Sequence, residues 1–177
     1  MVLIIVVFLL GIIIFIFSIY HNKIVFLNIK INNIEEKLNS TLIKRKELLK
    51  DSEEKIKSII ETDKSIYNGM NELSNKKISM MELDRKLLVY INEFYLIRDK
   101  YPKLQVNEDF QKIVFSINET EDLMGAYKDY YNDIISKYNK LIKSFPVIII
   151  SFIKRRKEKE FFDKKSINES DYNEFKY

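Results

Sequence analysis

The single histidine of this sequence, His21, is the side chain best suited to proton transfer or metal ligation, and it follows directly on a long apolar run. A carboxylate-bridged di-iron centre in a helical bundle needs two Glu-x-x-His motifs, which one histidine cannot supply. A Ser-His-Asp or Cys-His device would need that same residue inside a pocket. The chain has no Cys, which removes disulfides, thiolate nucleophiles and zinc–thiolate sites. It also has no Gly-rich phosphate loop. Carboxylates are plentiful, but Glu119, Glu121 and Asp122 fall on unlike faces of a helix. Surface solvation is their default, with an all-carboxylate divalent-cation site as the rival reading. The expectation is a non-catalytic chain with no resident metal or cofactor and no small-molecule substrate.

Two polar features stand out against apolar stripes. One stripe turns polar at Thr120 and Glu121, another at Thr41 and Arg45. A polar layer inside a bundle is normally satisfied internally and fixes register at some cost in stability. Arg45 and Glu121 are therefore expected to form a buried or half-buried pair, unless both simply face solvent. The second feature is a repeat: Tyr131-Asn132 and Tyr138-Asn139 lie seven residues apart on one stripe. Either they form a docking surface, or the rings pack in the seam while the amides hydrogen-bond at its border. The second is the expectation.

Helices must position these residues. The sequence holds three Gly and two Pro in 177 residues, too few turn-formers for a strand-rich fold. From Val106 to Phe145 the seam Val106, Phe110, Ile113, Ile117, Thr120, Met124, Tyr127, Tyr131, Ile134, Tyr138, Leu141, Phe145 alternates steps of four and three. At both ends Val114, Ile135 and Ile142 widen it to the face of a helix in a bundle. Asn107 can cap the start, Glu108 and Asp109 put negative charge on the first turn, and Pro146 ends the element. An earlier stripe runs Ile24, Leu27, Ile31, Ile34, Leu38, Thr41, Arg45, Leu48, then drifts to Leu49, Ile56 and Ile59, a stutter. Asn68-Gly69 signals a turn. A third stripe, Met80, Leu83, Leu87, Tyr90, Phe94, Ile97, ends before Tyr101-Pro102, where proline disfavours helix in the preceding residue.

The first twenty residues carry no Asp, Glu, Lys or Arg, and only Gly11, Ser18 and Tyr20 interrupt the aliphatic and Phe run. A helix of that length spans roughly 30 Å, the thickness of a bilayer's hydrocarbon core. A cleaved signal peptide would want a basic start, a shorter apolar core and a small-residue cleavage site. An uncleaved single-pass anchor is the better reading, and it makes the lipid bilayer a partner. Lys23, Lys30, Lys37, Lys44, Arg45 and Lys46 all follow the span, which puts the bundle in the cytoplasm and the N-terminus outside. No Pro or Gly lies between Gly11 and Gly69, so the anchor is expected to continue unbroken into the bundle.

The net charge is +4, from 30 basic and 26 acidic residues. That balance is too even for a dedicated nucleic-acid binder. Val147–Ile153 is far too short to span a bilayer. Counting passes places it as a short fourth helix closing the end of an up-and-down bundle far from the membrane. The charge run over 154–160 is either solvated or a contact for an anionic surface. The organisation expected is a transmembrane helix over 1–20, an antiparallel helical bundle over 21–156, and a charged, frayed tail over 157–177.

Tyr101-Pro102, Leu104, Asn107 and Phe110, then Thr120-Glu121, then Tyr131-Asn132, Tyr138-Asn139 and Phe145-Pro146 occur here in fixed order. Together they resemble the LemA family of bacterial membrane proteins. Val106 stands where that family usually has Ala, and Asp122 where it usually has Asn. Leu42-Ile43-Lys44-Arg45-Lys46-Glu47-Leu48-Leu49 resembles an earlier family element, with Lys50 in place of its proline. The resemblance implies an N-terminal membrane helix, a cytosolic-side bundle of four-helix type, and no assigned catalytic activity. The function expected is a membrane-tethered scaffold or adaptor that binds other membrane proteins or itself. The alternative is a regulatory subunit of a membrane enzyme or protease system.

Overall fold

A computed structural model describes residues 1–62, 64–67, 69–70 and 78–162. The described chain is all-α: α1 (Val2–Ile60), α2 (Met80–Lys100), the single turn α3 (Pro102–Gln105), α4 (Glu108–Lys143) and α5 (Val147–Ile153).

α1 has no break between Tyr20 and Ile31, so the apolar segment passes into the bundle without a hinge. Its N-terminal stretch is long and apolar enough to cross a membrane, and none of that stretch is buried. The first buried residue is Ile24. From there the inward stripe runs Ile24, Leu27, Ile31, Ile34, Leu38, Leu42, Arg45, Leu49, Ser52, Ile56. Two successive steps of four, onto Leu38 and Leu42, shift the seam by one position; the stutter expected after Leu48 falls earlier, and Leu49 rather than Leu48 is buried. α1 ends with Glu61 in the left-handed region at φ 54° and with the Thr62 amide donating to the Lys57 carbonyl at 3.2 Å. That closure favours glycine at the left-handed position. Glu61→Gly is therefore expected to stabilise the chain, by about 1 kcal/mol from relief of the side-chain clash, read as a raised urea midpoint.

Ser79 caps α2 by accepting from the Glu82 amide at 3.2 Å, and Arg98 and Lys100 occupy its last turn, where cations suit the helix dipole. Asn107 accepts from the Phe110 amide at 3.0 Å, the cap expected for α4. Two seam positions fail. Val106 and Phe145 are each 81% exposed. α3 ends at Gln105 and α4 starts after Asn107, so Val106 sits in the turn while Leu104 takes the buried place. α4 stops at Lys143, so Phe145 no longer follows the helical register. Of the Asn68-Gly69 turn, Gly69 is left-handed at φ 83°, while Asn68 lies outside the described residues.

The described chain forms two compact units, Met1–Glu36 with Asp129–Phe162, and Lys37–Lys128. In the second unit the rungs Lys55–Asp109 (2.8 Å) and Lys44–Glu119 (3.0 Å) run α1 and α4 antiparallel, and the Lys37 ammonium lies over the Tyr127 ring. α2 is different. Asp84 reaches Arg45 at 3.1 Å, and ten residues on, Phe94 stacks on Phe110 with ring centroids 5.2 Å apart, beside the Asp109 that holds Lys55. α2 thus runs parallel to α1, not back against it. The connection returns the chain along α1: Ser65 donates to Glu53, and Tyr67 is buried 2.7 Å from the Ser52 hydroxyl and edge-on to Tyr90. The strict up-and-down order is corrected at this connection, because an apolar stripe fixes which face is buried but not which way the helix points.

In the first unit the buried face of α1 from Ile24 to Ile34 belongs with Tyr131, Ile134, Ile135, Tyr138, Leu141 and Ile142 of α4 and Val147 of α5. α5 therefore shares a unit with the apolar segment of α1. Its expected place at the opposite end rested on α2 reversing direction, and is corrected with it.

Candidate functional site

The Lys37–Lys128 unit holds a buried ion cluster. Arg45 is 2% exposed. Its Nη1 donates to Asp84 at 3.1 Å, and its Nη2 donates to Glu121 at 2.6 Å and to the Thr120 carbonyl at 3.2 Å. Glu121, with 36% of its side chain exposed, carries the cluster to the surface. The other oxygen of Asp84 pairs with Lys128. Nε of Arg45 has no acceptor among the described residues. Burial lowers the Arg45 pKa, against the opposing pull of Glu121 and Asp84, but arginine starts so high that the charge persists at neutral pH. The two threonines take no part through their hydroxyls: Thr41 donates to the Lys37 carbonyl at 2.9 Å and Thr120 to that of Ile117 at 2.7 Å. Asp84 was not foreseen. It occupies the apolar stripe of α2, four residues after Met80 and three before Leu87, and an acid at such a position was the signal.

The Tyr-Asn repeat does something separate, in the other unit. Tyr131 and Tyr138 are buried in the seam. Asn139 donates to the Lys159 carbonyl at 2.9 Å and accepts from the Lys159 amide at 3.0 Å. Asn132 does the same to Phe162, at 3.0 and 2.7 Å. Two side-chain amides, two helical turns apart, thus hold both backbone groups of residues three apart in an extended segment. The Phe162 ring is buried edge-on against Tyr131, centroids 6.1 Å apart, and the Tyr131 hydroxyl donates to the Glu160 carbonyl at 3.3 Å. Lys159 adds an ion pair with Glu35 at 3.8 Å. Residues 159–162 are therefore docked rather than frayed; the remainder of the tail lies outside the described residues. The reading that the amides bond at the seam's border holds, and what they bond is this segment.

Burial, then the charges of Glu35 and Glu160, push the Tyr131 phenol up to about 12. A raised folded-state value means the phenol's contribution is complete below the unfolded value near 10 and is lost as pH climbs from there to about 12. The apparent Tm is expected to fall over that window. Tyr131→Phe should flatten the fall, which assigns it to the Tyr131 phenol.

The other signature positions are structural. Tyr101 closes α2, Pro102 opens α3, Phe110 is buried in the core and Pro146 precedes α5. The family model for LemA matches residues 32–174. The chain belongs to the LemA family. The match starts beyond the apolar span and takes in both the ion cluster and the Tyr-Asn repeat. No curated protein and no solved structure matches the chain. Among the described residues of this LemA chain, no three His, Asp or Glu side chains gather as metal ligands. Two recesses among the described residues of the Lys37–Lys128 unit are shallow and open. One is lined by Val106, Glu108, Gln111, Lys112, Phe115 and Ser116 on the outer face of α4, and another lies around Asp51, Lys55 and Asp109.

Proposed function

We propose that this LemA-family chain is a non-catalytic scaffold or adaptor, tethered by the apolar part of α1 with its bundle on the cytoplasmic side, and working through contacts with other membrane proteins. The observation that carries the reading is the internal pairing of Arg45, Asp84, Glu121 and Lys128. The buried charges that could have served chemistry hold helices together instead. At the shallow recess of α4 two apolar side chains, Val106 and Phe115, are largely exposed among polar ones. Exposed apolar residues rimmed by polar ones suit a protein contact.

The test is a photo-crosslinking residue placed at Phe115 in living cells. A discrete adduct with a membrane protein, reduced by Val106→Ser, is expected. A single adduct with one membrane enzyme in matching amount selects the regulatory-subunit alternative. Absence of any adduct from Phe115 and from neighbouring positions on α4 removes the adaptor reading. For orientation, a reporter fused after Tyr177 is expected to be active only when it is one that works inside the cytoplasm.

A further inference from the structure

We propose that α5 is a second membrane contact, an apolar helix that lies in the lipid interface beside the point where α1 leaves the bilayer; this rests on α1 being the membrane span.

The argument begins with which side of α5 is covered. Val147 and Ser151, one turn apart, are buried. The opposite side presents Ile148, Ile149, Phe152 and Ile153, with Phe145 just before it. Phe152 is 86% and Ile153 73% exposed. Four large apolar side chains of α5 thus share one exposed face, with a fifth just ahead of the helix, and a grouping of that kind on a water-facing surface marks an interaction site.

Its position selects the occupant. Within the Met1–Glu36 and Asp129–Phe162 unit, Tyr131 at the start of this part of α4 lies within the electrostatic reach of Glu35. α4 then proceeds toward the α1 residues nearest the apolar span, where Ile24 and Leu27 are covered. α5 follows after three residues. Ile24 is four positions past Tyr20, or about 6 Å of helix rise. α5 therefore belongs to the end of this unit where the exposed apolar surface of α1 begins, which is the surface that lipid covers if α1 spans.

Charge agrees. The chain turns out of α5 at Arg155, in the left-handed region at φ 50°, with the Arg156 amide closing on the Ser151 carbonyl at 2.9 Å. Lys154 and Arg155 are exposed at that turn. An apolar helix face with basic residues at its edge is the pattern of an interfacial helix on an anionic leaflet. Of the two readings of the 154–160 run, this favours the anionic surface for its first residues.

The chain has no cysteine, so single-cysteine variants of the full chain can be labelled cleanly. Ile149→Cys, Phe152→Cys, Phe8→Cys in the span and Phe115→Cys on α4 would each carry an environment-sensitive fluorophore, in vesicles of phosphatidylcholine and phosphatidylglycerol with or without nitroxide on the acyl chains. Labels at 8, 149 and 152 are expected to be blue-shifted and quenched, and the label at 115 to be neither. Lys154→Gln and Arg155→Gln should each weaken α5 docking on the anionic vesicles by roughly fivefold. Quenching at 8 but not at 149 or 152 overturns this proposal and leaves the anchor standing. A blue shift at 152 without quenching overturns it in favour of a second protein chain on that face. No quenching at any position overturns the anchor and this proposal together.

Discussion

Asp84→Ala is expected to destabilise the chain by about 3–5 kcal/mol, the usual cost of stripping one partner from a buried ion pair. The magnitude follows from what stays behind. Arg45 would remain enclosed with Glu121 as its one carboxylate partner, and that carboxylate is shared with solvent. Lys128 would lose the acid it pairs with. Urea unfolding of the full chain in detergent reads the effect directly. A cost below about 1 kcal/mol, as for a surface substitution, would mean that the cluster is hydrated and contributes little. The double variant Arg45→Met with Asp84→Leu is the sharper companion. Apolar groups of similar volume leave neither Arg45 nor Asp84 stranded by loss of the other, so the double change should cost less than the two single changes added together, by about 0.5–3 kcal/mol of coupling. A double variant no less stable than the parent chain would assign the cluster a role in choosing the register of α1, α2 and α4 rather than in raising stability.

Phe162→Ala carries the second large effect, and it should be local. Truncating a buried phenylalanine costs about 3–5 kcal/mol, and here the ring holds one end of a segment that is otherwise bonded to Asn132, Tyr131, Asn139 and Glu35. Losing that much from a piece with so few attachments should release the segment while the helices remain folded. Trypsin is the natural probe, because Lys157 lies just before the docked stretch and Lys159 is its first residue. Cleavage there should accelerate many-fold with the helical circular dichroism unchanged. Asn132→Ala should act in the same direction, since it removes the side chain that bonds both the amide and the carbonyl of Phe162. Unchanged cleavage in both variants would remove the docked segment from the account.

The apolar spacing carried most of the helical skeleton. The stripe of α4 from Phe110 to Leu141, the cap at Asn107, the end of α2 before Pro102 and the unbroken passage of α1 through Tyr20 were all legible, because each is written in local periodicity or in the chemistry of one capping residue. The Arg45–Glu121 contact was legible too, as polar breaks in two stripes that have to face each other. What was not legible shares one cause. The parallel course of α2, the place of α5 in the unit that holds the apolar segment of α1, and the docking of residues 159–162 depend on the direction of a helix or on backbone atoms, and neither leaves a mark on side-chain pattern. Val106 and Phe145 failed in the opposite sense. Both continue a periodicity past the residues where the backbone hydrogen-bond ladder stops.

The docked segment also has a mechanical sense. Residues 159–162 run antiparallel to α4, with Lys159 held at Asn139 and Phe162 at Asn132. A pull on the chain beyond Phe162, directed away from α4, would load the Phe162 attachment first and reach Lys159 only after that had given way. The two attachments would then open in series at low force, like a zip. The same pull directed along the axis of α4 would load both amide pairs together and meet far more resistance. The strength of this attachment is thus a property of the direction of tension, and the two asparagines make it so.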